Sequence, residues 1–262
     1  SWTFVSQLQG TKGECGAWKN SLAVNIKRNG RDPVVTLSGN YPLRCGAGRL
    51  PIRIAQQDWL WESWFREIWA QLGGELSGQV VNGLSPANGV VVLTHQSKPV
   101  AELTKEINKW SNNVMARHFE LAVAKNQAEF DARLKTWLGQ LRIGTTGWVL
   151  ENGSGLSRQT RIDAKGMTEF LAYMATRADF PDYMSSLPRV GVDGTLAKRM
   201  KSVEQSAYLK SGSLNGVRTV AGYVRSKNGQ MWAVAIFVRS ANAAQAWDPM
   251  ENLVKLLYNW GS

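Results

Sequence analysis

Apolar and polar positions alternate with period two near the start of the chain, and the period lengthens to about 3.6 after residue 50. Residues 21–27 and 33–38 are alternating runs separated by Arg28-Asn29-Gly30-Arg31-Asp32, a turn-rich spacer that predicts a β-hairpin. Further on, Trp61, Trp64, Phe65, Ile68, Trp69 and Leu72 recur at three- and four-residue steps, which sets them along one face of a helix. Asp58 is placed to cap that helix and Gly73-Gly74 to end it. The change of period near Leu50-Pro51 divides the chain into a β-rich segment, 1–48, and a longer remainder, 49–262.

A second helix starts at Pro99 and carries Val100, Leu103, Ile107 and Trp110 on one side. Ser111-Asn112-Asn113 follows at once, after which Val114, Met115, Phe119 and Ala122 resume the helical rhythm. Serine and asparagine side chains compete for backbone groups inside a helix, so a break is expected between the two. Further helices are expected over about 128–141 and 163–177, with a glycine-rich loop at 151–158 between them. Near the C-terminus, 207–209, 217–224 and 231–238 read as strands joined by Asn215-Gly216 and Asn228-Gly229 turns. Asp248-Pro249 then opens a last helix through Leu253, Leu256, Leu257 and Trp260. Three antiparallel strands backed by helices make an α+β layer.

The chain has 262 residues, 44% of them hydrophobic, enough to bury a sizeable core. The 12 tryptophans include Trp59, Trp61, Trp64 and Trp69, which are expected to fill core space. A net charge of +11 suits polyanionic partners. The basic residues are dispersed, however, with no cluster denser than Lys198-Arg199-Met200-Lys201 and no nucleic-acid-binding motif, so nucleic acid is not an expected partner. Cys15 and Cys45 permit one disulfide in an oxidising compartment or two free thiols in a reducing one. No run approaches the roughly 20 apolar residues of a membrane span, so no transmembrane segment is expected. The first residues lack a signal-peptide pattern, which leaves a removed one open. His95 and His118 have no companion ligands, so neither metal nor other cofactor is expected. Gly153-Ser154-Gly155 does not match the Gly-x-Ser-x-Gly nucleophile elbow and reads as a structural bend.

Two triplets remain, Ser111-Asn112-Asn113 and Lys210-Ser211-Gly212. Alone, the first is more often a helix cap and the second surface punctuation. Their order, with the stretches 107–116, 152–158, 191–196 and 209–214 around them, resembles the low-molecular-mass class C penicillin-binding proteins, the D-alanyl-D-alanine carboxypeptidase/endopeptidase family. The resemblance covers about residues 50–262. It implies the C-terminal part of a penicillin-binding, β-lactamase-like transpeptidase domain, with 1–48 as the β-rich tail of an inserted domain. The family's first motif, Ser-x-x-Lys, is missing: no serine here is followed by lysine three places on. Thr195-Leu196-Ala197-Lys198 comes closest, but it offers threonine and lies between the other two motifs. The resemblance therefore puts the nucleophile in a segment upstream of residue 1. It also implies threonine where this chain has Ser211, a mild departure because both carry a hydroxyl.

Acyl transfer to serine requires a base, a proton donor for the leaving amine and N–H groups for the developing oxyanion. Carried over by motif, Ser111 relays a proton to the leaving D-alanine nitrogen, and Asn113 bonds the substrate's peptide carbonyl and steadies the upstream lysine. Lys210 supplies positive charge where the terminal carboxylate docks, with Ser211 and Gly212 beside it. The Ser213 N–H is one candidate oxyanion donor. The implied protein is a periplasmic serine D,D-peptidase that acts on peptidoglycan stem peptides and is inhibited by β-lactams. The alternatives are a non-catalytic peptidoglycan-binding fragment and, third, a serine β-lactamase, whose class C members place tyrosine where Ser111 stands.

Overall fold

The structure, a computed structural model, describes residues 2–29, 32–54, 57–78, 81–203 and 205–261. The chain divides into two compact units, 1–94 and 95–262.

In the first unit β1 (Thr3–Thr11), β2 (Leu22–Asn29) and β3 (Asp32–Pro42) form a sheet of order β1-β3-β2. The expected hairpin is present: β2 and β3 pair antiparallel from Leu22↔Gly39 to Asn29↔Asp32. Gly30 and Arg31 of its turn lie outside the described residues. β1 joins β3 in parallel, Thr3 opposite Val34. Parallel neighbours need a crossover, and Cys15, on that crossover, is disulfide-bonded to Cys45 just beyond β3.

Helix α1 runs Gln57–Gln71, so Asp58 falls in its first turn rather than at the cap. Its end is as expected: Gly73 takes φ +84°, and the Gly73 and Gly74 amides donate to the Ala70 and Trp69 carbonyls. The aromatic stripe does not fill a core. Trp61, Trp64, Phe65, Ile68 and Trp69 remain 43–65% exposed and pair among themselves, Trp61 edge-on to Trp64 and Phe65 stacked on Trp69. Among the described side chains of α1 the buried one is Glu62, 3% exposed, because Arg28 of β2 and Arg66 one turn on both donate to its carboxylate.

The second unit holds α2 (Val100–Trp110), α3 (Asn113–Val123), α4 (Gln127–Gln140), α5 (Ala164–Met174) and α6 (Phe180–Ser186). These are followed by β4 (Ala207–Leu214), β5 (Val217–Arg225), β6 (Met231–Arg239) and α7 (Trp247–Tyr258). The strands pair antiparallel in the order β4-β5-β6, and both Asn-Gly turns stand where alternation placed them. One sheet face, through Leu209, Val220, Val224 and Val234, packs on Met250 and Val254 of α7 and on Val190, Leu196 and Met200. The opposite face, through Tyr208, Ala221 and Tyr223, packs on Leu171 of α5 and on Phe180 and Tyr183 of α6. A third cluster gathers Leu138, Ile143 and Trp148 beside α4. The α+β expectation is met. The apolar stripe of α2 is not buried along its length: Val100 and Trp110 at its two ends are each 64% exposed, and Lys109, beside Trp110, is only 6% exposed.

Candidate active site

The polar triplet after α2 makes a corner by local chemistry. Ser111 ends α2 in the left-handed conformation, φ 54° and ψ 48°, a backbone state that costs a non-glycine residue about 1–2 kcal/mol and turns the chain out of the helix. Asn112 then caps α3, its Oδ1 accepting the Met115 N–H at 3.1 Å, which begins a new helix in another direction. Asn113 is the first residue of α3 and its side chain makes no hydrogen bond among the described residues.

Lys210 reaches this corner from β4. Its ammonium donates to Ser111 Oγ at 2.8 Å and to the Ser211 carbonyl at 3.0 Å, across 99 positions of sequence. Burial pushes the Lys210 amine below the usual lysine value of 10.5, since desolvation disfavours the charged form. Gly212 leaves the sheet beside Lys210 clear: a Cβ there would lie 2.4 Å from Thr219 Oγ1 on β5.

The outer edge of β4 is covered only in part. The Val190 N–H donates to the Ala207 carbonyl and the Leu209 N–H to the Pro188 carbonyl, both at 2.9 Å. The Ser206 carbonyl, one residue out of phase, instead accepts from Arg225 of β5. Backbone groups of odd-numbered β4 residues therefore point outward. Among the described residues nothing pairs with β4 beyond Leu209, where segment 188–190 stops, so the Ser211 and Ser213 amides project from an edge left open there.

The glycine-rich loop spans from α3 to the β4–β5 turn. The Gly153 N–H donates to the Glu120 carboxylate, and a Cβ at 153 would meet Glu120 Cβ at 2.9 Å and the Ala116 carbonyl at 3.1 Å, so glycine seats the loop against α3. Ser154 Oγ donates to Asn152 Oδ1 at 2.6 Å and accepts the Leu156 N–H at 3.2 Å, a turn-forming arrangement that engages the hydroxyl structurally. Arg158 Nη1 donates to the Asn215 carbonyl at 2.6 Å. Lys198 of the near-miss motif lines a surface hollow with Arg199, Met200, Lys201 and Glu251. Among the described residues no cluster of histidine, cysteine or acidic side chains could hold a metal ion, and no helix is long and apolar enough to cross a membrane.

Ser111, Lys210 and the Ser211 carbonyl are thus in direct contact, while Gly212 and Ser213 share the same strand and Asn113 stands two residues past Ser111 without touching Lys210 by a hydrogen bond. Sequence reasoning missed two buried charges on the helices that flank the corner, Lys109 on α2 and Glu120 on α3. Neither carries a local signal, because a charged residue on an amphipathic helix ordinarily faces solvent and the partners here lie 84 and 33 positions away.

A sequence model of the D-Ala-D-Ala carboxypeptidase 3 (S13) family matches residues 5–260. D-alanyl-D-alanine carboxypeptidase DacB of Haemophilus influenzae is 33% identical over 179 residues, covering 64% of this chain and 37% of that protein. D-alanyl-D-alanine carboxypeptidase of Actinomadura sp. strain R39 is 30% identical over 187 residues, covering 64% and 34%. The chain spans little more than a third of the length of these relatives. Among solved structures, penicillin binding protein 4 (dacB) of Haemophilus influenzae matches with a TM-score of 0.72 at 23% identity, over 98% of this chain and 59% of that one. The same protein complexed with a β-lactam gives 0.70 at 22%, over 98% and 62%. At that identity the structural likeness speaks for the fold.

Proposed function

The chain belongs to the D-Ala-D-Ala carboxypeptidase 3 (S13) family, and on that premise we propose that it is the C-terminal part of a serine D,D-peptidase that acts on peptidoglycan stem peptides in the bacterial periplasm. One observation carries this reading: the Lys210 ammonium lies 2.8 Å from Ser111 Oγ, although nothing in the local sequence ties the two. In this proposal the nucleophilic serine and its lysine base come from a Ser-x-x-Lys segment preceding residue 1. The serine oxygen attacks the carbonyl of the penultimate D-alanine, the C–N bond to the terminal residue breaks, and the departing nitrogen gains a proton. Water then hydrolyses the ester.

Ser111 suits the proton relay. Its Oγ accepts from Lys210, so its own O–H is free to donate outward, and the lowered proton affinity of half-buried Lys210 eases the replacement of that proton. Asn113, in the next turn, is assigned to the substrate's peptide carbonyl. Lys210 and the Ser211 hydroxyl are assigned to the terminal carboxylate, by charge and by hydrogen bond. An extended peptide added along the open β4 edge would meet the Ser213 N–H, which makes that amide the oxyanion donor on this side of the cleft. A β-lactam is an amide whose acyl product keeps its leaving group tethered, so inhibition by acylation follows from the same chemistry. A relative's complex with a β-lactam is in keeping with it.

The test is a protein carrying the preceding segment, incubated with fluorescent penicillin. A covalent one-to-one adduct is expected. No adduct from a protein whose circular dichroism shows it folded overturns the assignment. A second reading, a fragment that binds stem peptide without turnover, is favoured for the 262-residue chain alone because it has no Ser-x-x-Lys. Its hydrolysis should be lower by several orders of magnitude, and ready turnover by this chain would move the nucleophile inside it.

A further inference from the structure

We propose that Lys109 and Asp193 are a positioning pair, a bracket of a buried ammonium on a half-exposed carboxylate that sets the separation of Ser111 from Lys210. The inference rests on the peptidase reading for its catalytic consequence but on geometry for the bracket itself. Lys109 stands two residues before Ser111 on the last turn of α2, 6% exposed. Its three N–H donors have three acceptors: Asp193 Oδ1 at 2.8 Å, Asp193 Oδ2 at 2.7 Å and the Leu187 carbonyl at 2.6 Å. Asp193 Oδ1 also accepts the Arg189 N–H at 2.7 Å. Gly194, at φ +59°, is pressed against the same turn, since a Cβ there would lie 2.5 Å from the Lys109 carbonyl. One residue before Lys109, Asn108 Nδ2 donates to the fully buried Ser186 Oγ at 2.8 Å. The strip 186–194 is thereby clamped to the end of α2.

The other side of that strip is the short partner of β4. Val190 and Pro188 exchange backbone hydrogen bonds with Ala207 and Leu209, the Arg189 Nε donates to the Gln205 carbonyl at 3.0 Å, and the Arg189 guanidinium covers the Tyr208 ring. Ser111 and Lys210 are 99 residues apart along the chain, yet the path through Lys109, Asp193, Arg189 and Leu209 joins them through a few contacts. A buried ammonium is an expensive way to hold two elements together, and a methionine would fill the same space. What the ion pair adds is fixed geometry, three directed bonds where an apolar contact would allow sliding. A loosening of 1 Å is enough to lose the 2.8 Å contact on which the proton relay depends.

Lys109→Met keeps volume and removes the three directed bonds of the ammonium, Asp193→Asn keeps volume and removes the negative charge and one of the two carboxylate acceptors, and Lys109→Arg keeps the charge. The first readout uses the 262-residue chain with carbon-13-labelled lysine, following the Lys210 side chain by NMR. Lys210 should titrate below ordinary lysines in the unmodified chain, return toward them in Lys109→Met and Asp193→Asn, and shift less in Lys109→Arg. A lowered melting temperature with an unmoved Lys210 titration would mean that the pair merely supports the fold, and would overturn the proposal. The second readout uses the protein with its preceding segment, where Lys109→Met should slow acylation by fluorescent penicillin about 10- to 100-fold with prior binding unchanged. Unchanged acylation overturns the catalytic consequence. If the unmodified protein forms no adduct, the peptidase reading fails by itself and the NMR arm still decides the bracket.

Discussion

Among the described residues of unit 1–94 the buried apolar side chains are Pro33 and Val35, both on β3, whereas in unit 95–262 apolar clusters cover both faces of the β4–β6 sheet. The first unit is tied by backbone ladders, the Cys15–Cys45 bond and the Arg28–Glu62–Arg66 ion cluster. The second has enough buried surface to afford polar groups inside it, and it carries them on the elements that bear the catalytic candidates: Lys109 on α2, Glu120 on α3 and the half-buried Lys210 on β4. A reacting constellation has to be held to about half an ångström, which packed elements do better than ladders stapled at a few points.

The largest effect that could break this contrast is a cavity in the second unit. Tyr223 is fully buried between α5 and α6, edge-on to Phe180 and Tyr183, with its hydroxyl donating to the Leu171 carbonyl at 2.7 Å. Tyr223→Ala should destabilise that unit by about 4 kcal/mol, read from denaturant unfolding. A loss under about 1.5 kcal/mol would mean that the core is not what holds it. Next is reduction of Cys15–Cys45. Releasing a loop of 30 positions removes roughly 3.5 kcal/mol on the chain-entropy account. Hydrogen exchange should then show protection lost in β1–β3 and kept in β4–β6; equal losses would erase the distinction. Tyr223→Phe is smaller, about 1 kcal/mol, because one buried hydrogen bond goes while the ring stays.

The same contrast governs how much could be read in advance. Both units have elements coded by near neighbours: the Asn-Gly turns fixed β4–β6, and serine and asparagine broke α2 from α3 where the structure breaks them. Pairings that bring distant segments together carry no such mark. The parallel docking of β1 on β3 looks in sequence like any other alternating run. Helix α6 escaped because its seven residues, with Pro181 in the first turn, are too few for a period to show. The stripe on α1 was legible as a helix face, but periodicity reports only that one face is apolar, not what covers it. At the site, the triplets pointed to Ser111 and Lys210 through resemblance. The bracket beneath them stayed hidden because a lysine next to a tryptophan gives no reason to expect the tryptophan outside and the lysine inside.

The smallest effects lie at opposite ends of the pH scale. In the first unit, burial alone would raise the Glu62 carboxyl, but hydrogen bonds and charge from Arg28 and Arg66 outweigh it and hold the group below its ordinary 4.5. The unfolded chain therefore binds that proton more readily, so the cluster's contribution is fully present above about 4.5 and fades as pH falls through the lowered value. In the second unit, burial lowers Lys210 from 10.5, so the folded state holds its proton less tightly than the unfolded one. Stability should then rise with pH between the lowered value and 10.5, and at neutral pH the charged Lys210 is a liability. Glu62→Gln should flatten the acid loss in β1–β3 and lower neutral stability. Lys210→Met should abolish the alkaline rise and raise the neutral melting temperature slightly, while removing the contact with Ser111. A drop on Lys210→Met would mean that its bonds to Ser111 and the Ser211 carbonyl more than offset desolvation. Lys210 would then be a structural tie like Glu62, and the division between a unit held by polar ties and one that carries polar groups for their chemistry would fail at the residue where it matters most.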